Sequence, residues 1–204
     1  TSLNDDYPNT ISINLATGDM GQTDNPELRD TITNIENVTF KGDYDVIITG
    51  DDENNIIRAG DGDDILTGGI GNDTLMSGAG DDKVFGGEGD DLIIQNGSGN
   101  QAYDGGIGND TLEVDTSFVT QLNPNFTNKI EINLFDGEMG QVGNSNLRDK
   151  IENIENVTFK SDFDAIITGD NNDNIIIGGS GDDTLNGGSG NDILKSGFGN
   201  DFIY

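Results

Sequence analysis

Apolar residues recur along this chain at two spacings, and each spacing predicts a different element. Ile11-Ser-Ile-Asn-Leu15 and Ile130-Glu-Ile-Asn-Leu134 alternate apolar with polar side chains, the period of a half-buried strand. They read as capping or linking β elements. Leu28–Val38 has spacing compatible with helix or short strands, and irregular β is the reading adopted here. Elsewhere the apolar positions fall nine apart: Leu66, Leu75, Val84 and Ile93, then Leu112 after a break, then Leu185, Leu194 and Ile203. Ile57, Tyr103 and Ile176 hold the same place in weaker copies. Each is expected to sit on a very short strand and point inward. No apolar run reaches the roughly 18 residues of a membrane span.

Around each of these residues lies the nonapeptide G-G-x-G-x-D-x-U-x, U being the apolar position. The first series runs Ala59–Thr67, Gly68–Met76, Ser77–Phe85 and Gly86–Ile94; Gln95 is a one-residue insertion, Asn96–Asp104 is degenerate, and Gly105–Glu113 restores the pattern. Gly50–Arg58 is a weak opening copy. A second series gives Gly169–Ile177 (weak), Gly178–Asn186, Gly187–Lys195 and Ser196–Tyr204. A longer repeat contains both. Ile11–Gly50 matches Ile130–Gly169 without a gap, at an offset of 119 that holds from Thr1/Thr120 to Phe85/Tyr204 with about 50 of 85 positions identical. The chain reads as one complete unit and most of a second from a tandem array. Its parts are a non-repeat β lead-in (1–49), a repeat block (50–113), a linker with a second lead-in (114–168) and a truncated second block (169–204).

Composition narrows the chemistry. Nine Lys and Arg against 39 Asp and Glu give the 204 residues a net charge of −30, which repels nucleic acid and anionic membranes. Without Cys or His there is no disulfide framework, no thiolate or imidazole metal site, and no Ser-His-Asp or Cys-His catalysis. The chain opens Thr1-Ser-Leu-Asn-Asp-Asp6, so no N-terminal signal peptide is expected and the chain reads as cut from something longer. Apolar residues are only 31% and aromatics 6%. High charge with few apolar residues would ordinarily mean disorder, but 31 Gly against 3 Pro fit a repeated turn better than a linker. A solvated low-complexity spacer would not hold Leu, Ile and Val in phase. An EF-hand is excluded because its D-x-[DN]-x-[DN]-G-x₅-E loop with flanking helices is missing. Arg29 and Arg148 recur at equivalent places and are expected to pair with nearby carboxylates; Met20 and Met139 are expected to fill gaps in the core.

The nonapeptides, together with the Ile-Glu-Asn-Val lead-ins at Ile35–Val38 and Ile154–Val157, resemble the RTX (repeats-in-toxin) hemolysin-type calcium-binding repeats. That resemblance implies an all-β fold, a right-handed parallel β-roll (a β-helix or solenoid) in two tandem units. Two nonapeptides would make one coil of about 18 residues, and stacked coils would pair their short strands into two parallel sheets. One apolar side chain per nine residues makes a thin core, and stacked turns crowd carboxylates together. A cation is needed. Oxygen-only ligands point to a hard ion, and several Ca²⁺ ions are the cofactor expected.

By the same resemblance, an ion sits between turns 18 residues apart. It takes carbonyls 2 and 4 and Asp 6 of one turn, with carbonyls 1 and 3 and Asp 6 of the next. Carried onto this chain, one site is Gly60, Gly62 and Asp64 with Ser77, Ala79 and Asp82, and a second is Gly69, Gly71 and Asp73 with Gly86, Glu88 and Asp91. A third is Gly179, Gly181 and Asp183 with Ser196, Phe198 and Asp201. Gly87, Gly89 and Asp91 would pair with Gly105, Ile107 and Asp110 through an adjusted turn, because Gln95 stretches that spacing to 19. Gly78, Gly80 and Asp82 face the degenerate repeat in which Gln101 replaces Asp. Gly187, Ser189 and Asp192 face the opening repeat with Asn174 at position 6, as Asp73 faces Asn55; both sites are expected to be weaker.

Three functions compete. The leading one is a secreted, extracellular or cell-surface structural module of a large repeat protein of adhesin or surface-layer type, partnered by calcium and by neighbouring units of its own chain. Its adhesive target is not encoded in these residues. The alternative is a noncatalytic tail that assists secretion and folding of an exported enzyme or toxin; the resemblance implies a type I export route with a signal beyond Tyr204. Catalysis by the roll itself ranks lowest: the best carboxylates are needed as ligands, and no Trp offers a sugar platform. Ice binding would need a uniform Thr/Asn array, whereas position 3 reads Asp61, Ile70, Ala79, Glu88, Ser98 and Ile107.

Overall fold

The computed structural model describes residues 10–23, 25, 27–116, 129–144 and 148–204. The opening Thr1–Asp6 and the stretch 117–128 of the linker lie outside the described residues. Every regular element there is a strand. The first copy holds β1 (Ile11–Asn14), β2 (Asp19–Gln22), β3 (Arg29–Thr31), β4 (Asn37–Thr39), β5 (Val46–Thr49), β6 (Ile56–Arg58), β7 (Ile65–Ile70), β8 (Thr74–Met76), β9 (Lys83–Glu88), β10 (Leu92–Gln95), β11 (Ala102–Ile107) and β12 (Thr111–Asp115). The second continues with β13 (Lys129–Asn133), β14 (Glu138–Gln141), β15 (Arg148–Glu152), β16 (Asn156–Lys160), β17 (Asp164–Thr168), β18 (Ile175–Ile177), β19 (Thr184–Asn186), β20 (Ile193–Lys195) and β21 (Phe202–Ile203).

Successive nonapeptides feed two sheets in turn, so strands one coil apart pair in parallel. In the smaller sheet the order β20-β18-β16-β12-β10-β8-β6-β4 is parallel throughout. Its register stacks one apolar ladder, Val38, Ile57, Leu75, Ile93, Leu112, Val157, Ile176 and Leu194. The facing sheet stacks Ile48, Leu66, Val84, Tyr103 and Ile151 in the same way. These two ladders are the core, and all but the end residues are buried. The fold is a parallel β-roll. Only the last coil departs from expectation: Leu194 is half-buried and Ile203 is 53% exposed, because among the described residues no coil covers them.

The larger sheet has thirteen strands against eight, and the surplus comes from the lead-ins. In each copy a short hairpin opens with an alternating segment: β1 pairs antiparallel with β2 and β2 with β3, and β13, β14 and β15 repeat the arrangement. Sequence explains the tight first turn. The Asn14 and Asn133 side chains accept the backbone N–H of Thr17 and Asp136, and Gly18 and Gly137 supply φ of 73° and 70°, which an L side chain resists. Leu28–Val38 is therefore irregular β as expected, with β3 and β4 at its two ends.

The second lead-in stacks directly on the first repeat block. β15 pairs parallel with β11 and β16 with β12, so both ladders run unbroken from one unit into the next. The equivalent residues of the first copy are more exposed. Ile154 is 4% exposed but its counterpart Ile35 is 43% exposed; Met139 is buried and Met20 only half-buried. Arg148 binds Glu131 at 2.9 Å, as expected of a recurring arginine. Arg29 does not share this role: the residue equivalent to Glu131 is Ser12, and Arg29 forms no ion pair among the described residues.

Depth in the stack sets the cost of truncation. Leu75→Ala should destabilise the calcium-loaded chain by about 2–5 kcal/mol, and Ile203→Ala by no more than about 1 kcal/mol. Urea denaturation followed by circular dichroism checks this, and equal losses would contradict the stacking.

Candidate metal centre

The turns stack as closely as the strands. Gly78 and Gly80 take φ of 93° and 137° and lie over the carbonyls of Gly60 and Gly62, so a Cβ at either position would strike a carbonyl oxygen. Backbone bonds lock neighbouring turns: the Gly62 N–H donates to Ala79 O at 2.9 Å and the Ala79 N–H to Gly60 O at 3.2 Å. Each of these carbonyls keeps a second lone pair.

Position 6 runs through these turns as a ladder of side chains. One oxygen of each carboxylate accepts the N–H of the residue one coil back. On one edge Asp64 holds Val46 N, and Asp82 holds Asp64 N. On the other Asp73 holds Asn55 N, Asp91 holds Asp73 N, and Asp110 holds Asp91 N, at 2.7–2.8 Å. In the second block Asp183, Asp192 and Asp201 do the same for Ala165, Asn174 and Asp183. In the first block the other oxygen is left over, whereas in the second Asp183 Oδ2 accepts the Gly179 N–H at 3.0 Å. Oδ2 of Asp64, Asp73, Asp82, Asp91 and Asp110 is buried without a hydrogen-bond partner. Burial and neighbouring carboxylates raise these groups, Asp64 and Asp91 to about 7 and Asp110 to about 6, with Asp73, Asp82 and Asp183 moved the same way.

The Oδ2 atoms of three of these aspartates lie against the next turn. A Cβ on Gly68 would strike both Asp73 Oδ2 and the Gly86 carbonyl; on Gly86 it would strike Asp91 Oδ2 and the Gly105 carbonyl. On Gly178 it would strike Asp183 Oδ2 and the Ser196 carbonyl. A carboxylate oxygen of one turn and the first carbonyl of the next thus converge three times. Among the described residues no three acidic side chains gather at one point, and the oxygens that converge are carboxylate and carbonyl. That donor set fits calcium, which accepts mixed oxygen ligands in flexible geometry. It fits zinc or copper poorly.

Substituted positions behave differently. The Gln101 side chain keeps its rung by accepting Asp82 N at 3.0 Å, and its amide nitrogen donates to the Gly80 carbonyl at 2.9 Å. The amide thus occupies the Gly80 carbonyl oxygen. Asn55 and Asn174 turn inward on their own turns, each accepting and donating to the Asp four residues earlier. Asn174 also donates to the Glu155 carbonyl at 2.8 Å. Two further rungs come from outside the nonapeptides: Asp149 accepts Gln101 N, and Glu155 accepts Asp110 N, both at 2.8 Å. Asp149 is raised to about 7 by burial. A sequence signal exists for Glu155, which stands two residues before the apolar Val157 just as Asp 6 stands two before position 8.

The model of the RTX calcium-binding nonapeptide repeat family matches residues 42–75, 67–94 and 168–203. The chain carries these repeats, and such repeats bind several calcium ions per array. A search of curated proteins finds no match.

Two outcomes follow. In the calcium-stripped chain the folded form binds more protons than the unfolded form between the ordinary carboxylate value near 4 and about 7, so its stability falls as pH rises across that window. Thermal melts followed by circular dichroism should show more structure at pH 5 than at pH 8 without calcium. A rise with pH would contradict the burial of these carboxylates. Gln101→Glu should remove the amide and add one calcium per chain in titration calorimetry; an unchanged number would contradict the plug.

Proposed function

From a chain that carries RTX calcium-binding nonapeptide repeats, we propose a noncatalytic structural module of a large secreted or cell-surface repeat protein, of adhesin or surface-layer type, that folds on calcium after export. The observation carrying this reading is the stacking of one 119-residue unit on the next. Strand pairing crosses the junction in both sheets, so adding units lengthens one rod. Reach by repetition suits a surface protein.

Calcium supplies the switch. The ions proposed between turns are held by Asp64 with Asp82, Asp73 with Asp91, Asp91 with Asp110, and Asp183 with Asp201, together with the carbonyls of their turns. Without them, a net charge of −30 is crowded along two narrow apolar ladders, and the chain stays disordered. Each ion cancels two charges and ties two turns, so binding energy becomes folding energy and neighbouring sites fill cooperatively. Extracellular calcium modules bind at about 10⁻⁴–10⁻³ M, which keeps the chain threadable inside the cell and folds it outside. Among the described residues no helix is long and apolar enough to cross a membrane.

Far-UV circular dichroism in EDTA should show coil, and millimolar calcium should convert it to β; magnesium should not, because it demands rigid octahedral geometry and dehydrates reluctantly. An unchanged β spectrum in EDTA would sink the switch. Antibodies to the chain should label intact producing cells, and labelling only after lysis would contradict the surface assignment.

A further inference from the structure

We propose an additional calcium site at the junction between units, formed by the turn Gly105–Asp110 of one repeat block and Asn153 and Glu155 of the next lead-in. The inference rests on the calcium reading of the repeats and adds a site made half from residues outside the nonapeptides. Its starting point is the direction of an oxygen. Asp110 is wholly buried and its Oδ2 has no partner. A Cβ on Gly105 would strike both that oxygen and the Asn153 carbonyl, as one on Gly68 would strike Asp73 Oδ2 and the Gly86 carbonyl. Asn153 therefore stands where the first residue of a following nonapeptide would stand, and its φ of 51° gives it a backbone shape that few residues other than Gly and Asn accept.

Glu155 completes the likeness. Its Oε2 accepts Asp110 N at 2.8 Å, the bond that the next turn's Asp makes everywhere else on this edge. Its other oxygen is free of any hydrogen bond among the described residues. Asp110 Oδ2 and the Asn153 carbonyl meet as Asp73 Oδ2 and the Gly86 carbonyl do. The Glu155 carboxylate sits on the adjoining Asp110 N–H across a turn three residues shorter, and hard oxygen donors of this kind take calcium. The opposite edge of the junction has no such vacancy, because Gln101 spends its amide on the Gly80 carbonyl and Asp149 caps Gln101 N. One ion on one edge would fasten unit to unit. The first copy repeats the half-site as Asn34, with φ 56°, and Glu36, both exposed among the described residues.

Glu155→Gln tests the site, since Gln101 already shows that an amide can keep the rung while removing the charge. Titration calorimetry should count one calcium fewer than the unaltered chain, with the β spectrum in calcium retained. The same count in both would overturn the junction site. An unaltered chain that binds no calcium would instead overturn the parent reading. Should the variant not fold, anomalous diffraction from the calcium-loaded unaltered chain decides. An ion about 2.3–2.6 Å from the Glu155 carboxylate and Asp110 Oδ2 is expected, and no ion there would overturn the proposal.

Discussion

A buried carboxylate satisfied on one side only is the constraint on which this structure depends. In the first repeat block each position-6 aspartate, Asp64, Asp73, Asp82, Asp91 and Asp110, spends one oxygen on the backbone of the coil before it and keeps the other buried without a protein donor. A buried charge left in that state is costly, and stacking brings more of the same sign alongside. The glycine turns make the geometry compulsory, because Gly78 and Gly80 pack against carbonyls that leave no room for a side chain. Protons or a hard cation can relieve the leftover oxygen. At neutral pH the proposed cation must do so.

From that constraint follows the logic of the substitutions. At Gln101 and Asn174 the chain supplies an amide whose N–H takes a carbonyl of the neighbouring coil instead, while Asn55 turns its amide to Asp51. Such a rung keeps the stack closed without an ion. The roll is thus a sequence of ionic and amide rungs, and only the ionic ones make it answer to calcium. Surface ion pairs such as Lys160–Glu113, 2.7 Å apart, add little, since exposed pairs stabilise by about 1 kcal/mol or less.

Much of this was legible in the sequence. The nine-residue phase of Leu66, Leu75, Val84 and Ile93 dictated alternation between two parallel sheets, and the glycines marked the turns. What escaped was whatever depends on the partner coil. Gln101 reads as a missing ligand until its amide is found on Gly80. Arg29 looks like Arg148 until its neighbour proves to be Ser12 and not an acid. The first strand of each lead-in was visible as an alternating segment, but the hairpin it opens and its insertion into one sheet only, thirteen strands against eight, are properties of stacking. Ile35 and Ile154 share one local sequence and differ in burial, which no local reading can foresee.

The most direct test of this account is a crystal structure of the calcium-loaded chain with anomalous data. The account predicts ions about 2.3–2.6 Å from Oδ2 of Asp64, Asp73 and Asp91, each also meeting the first carbonyl of the next turn, and no ion between Gly80 and Gln101. Leftover aspartate oxygens that remain unliganded while the roll is folded would contradict it.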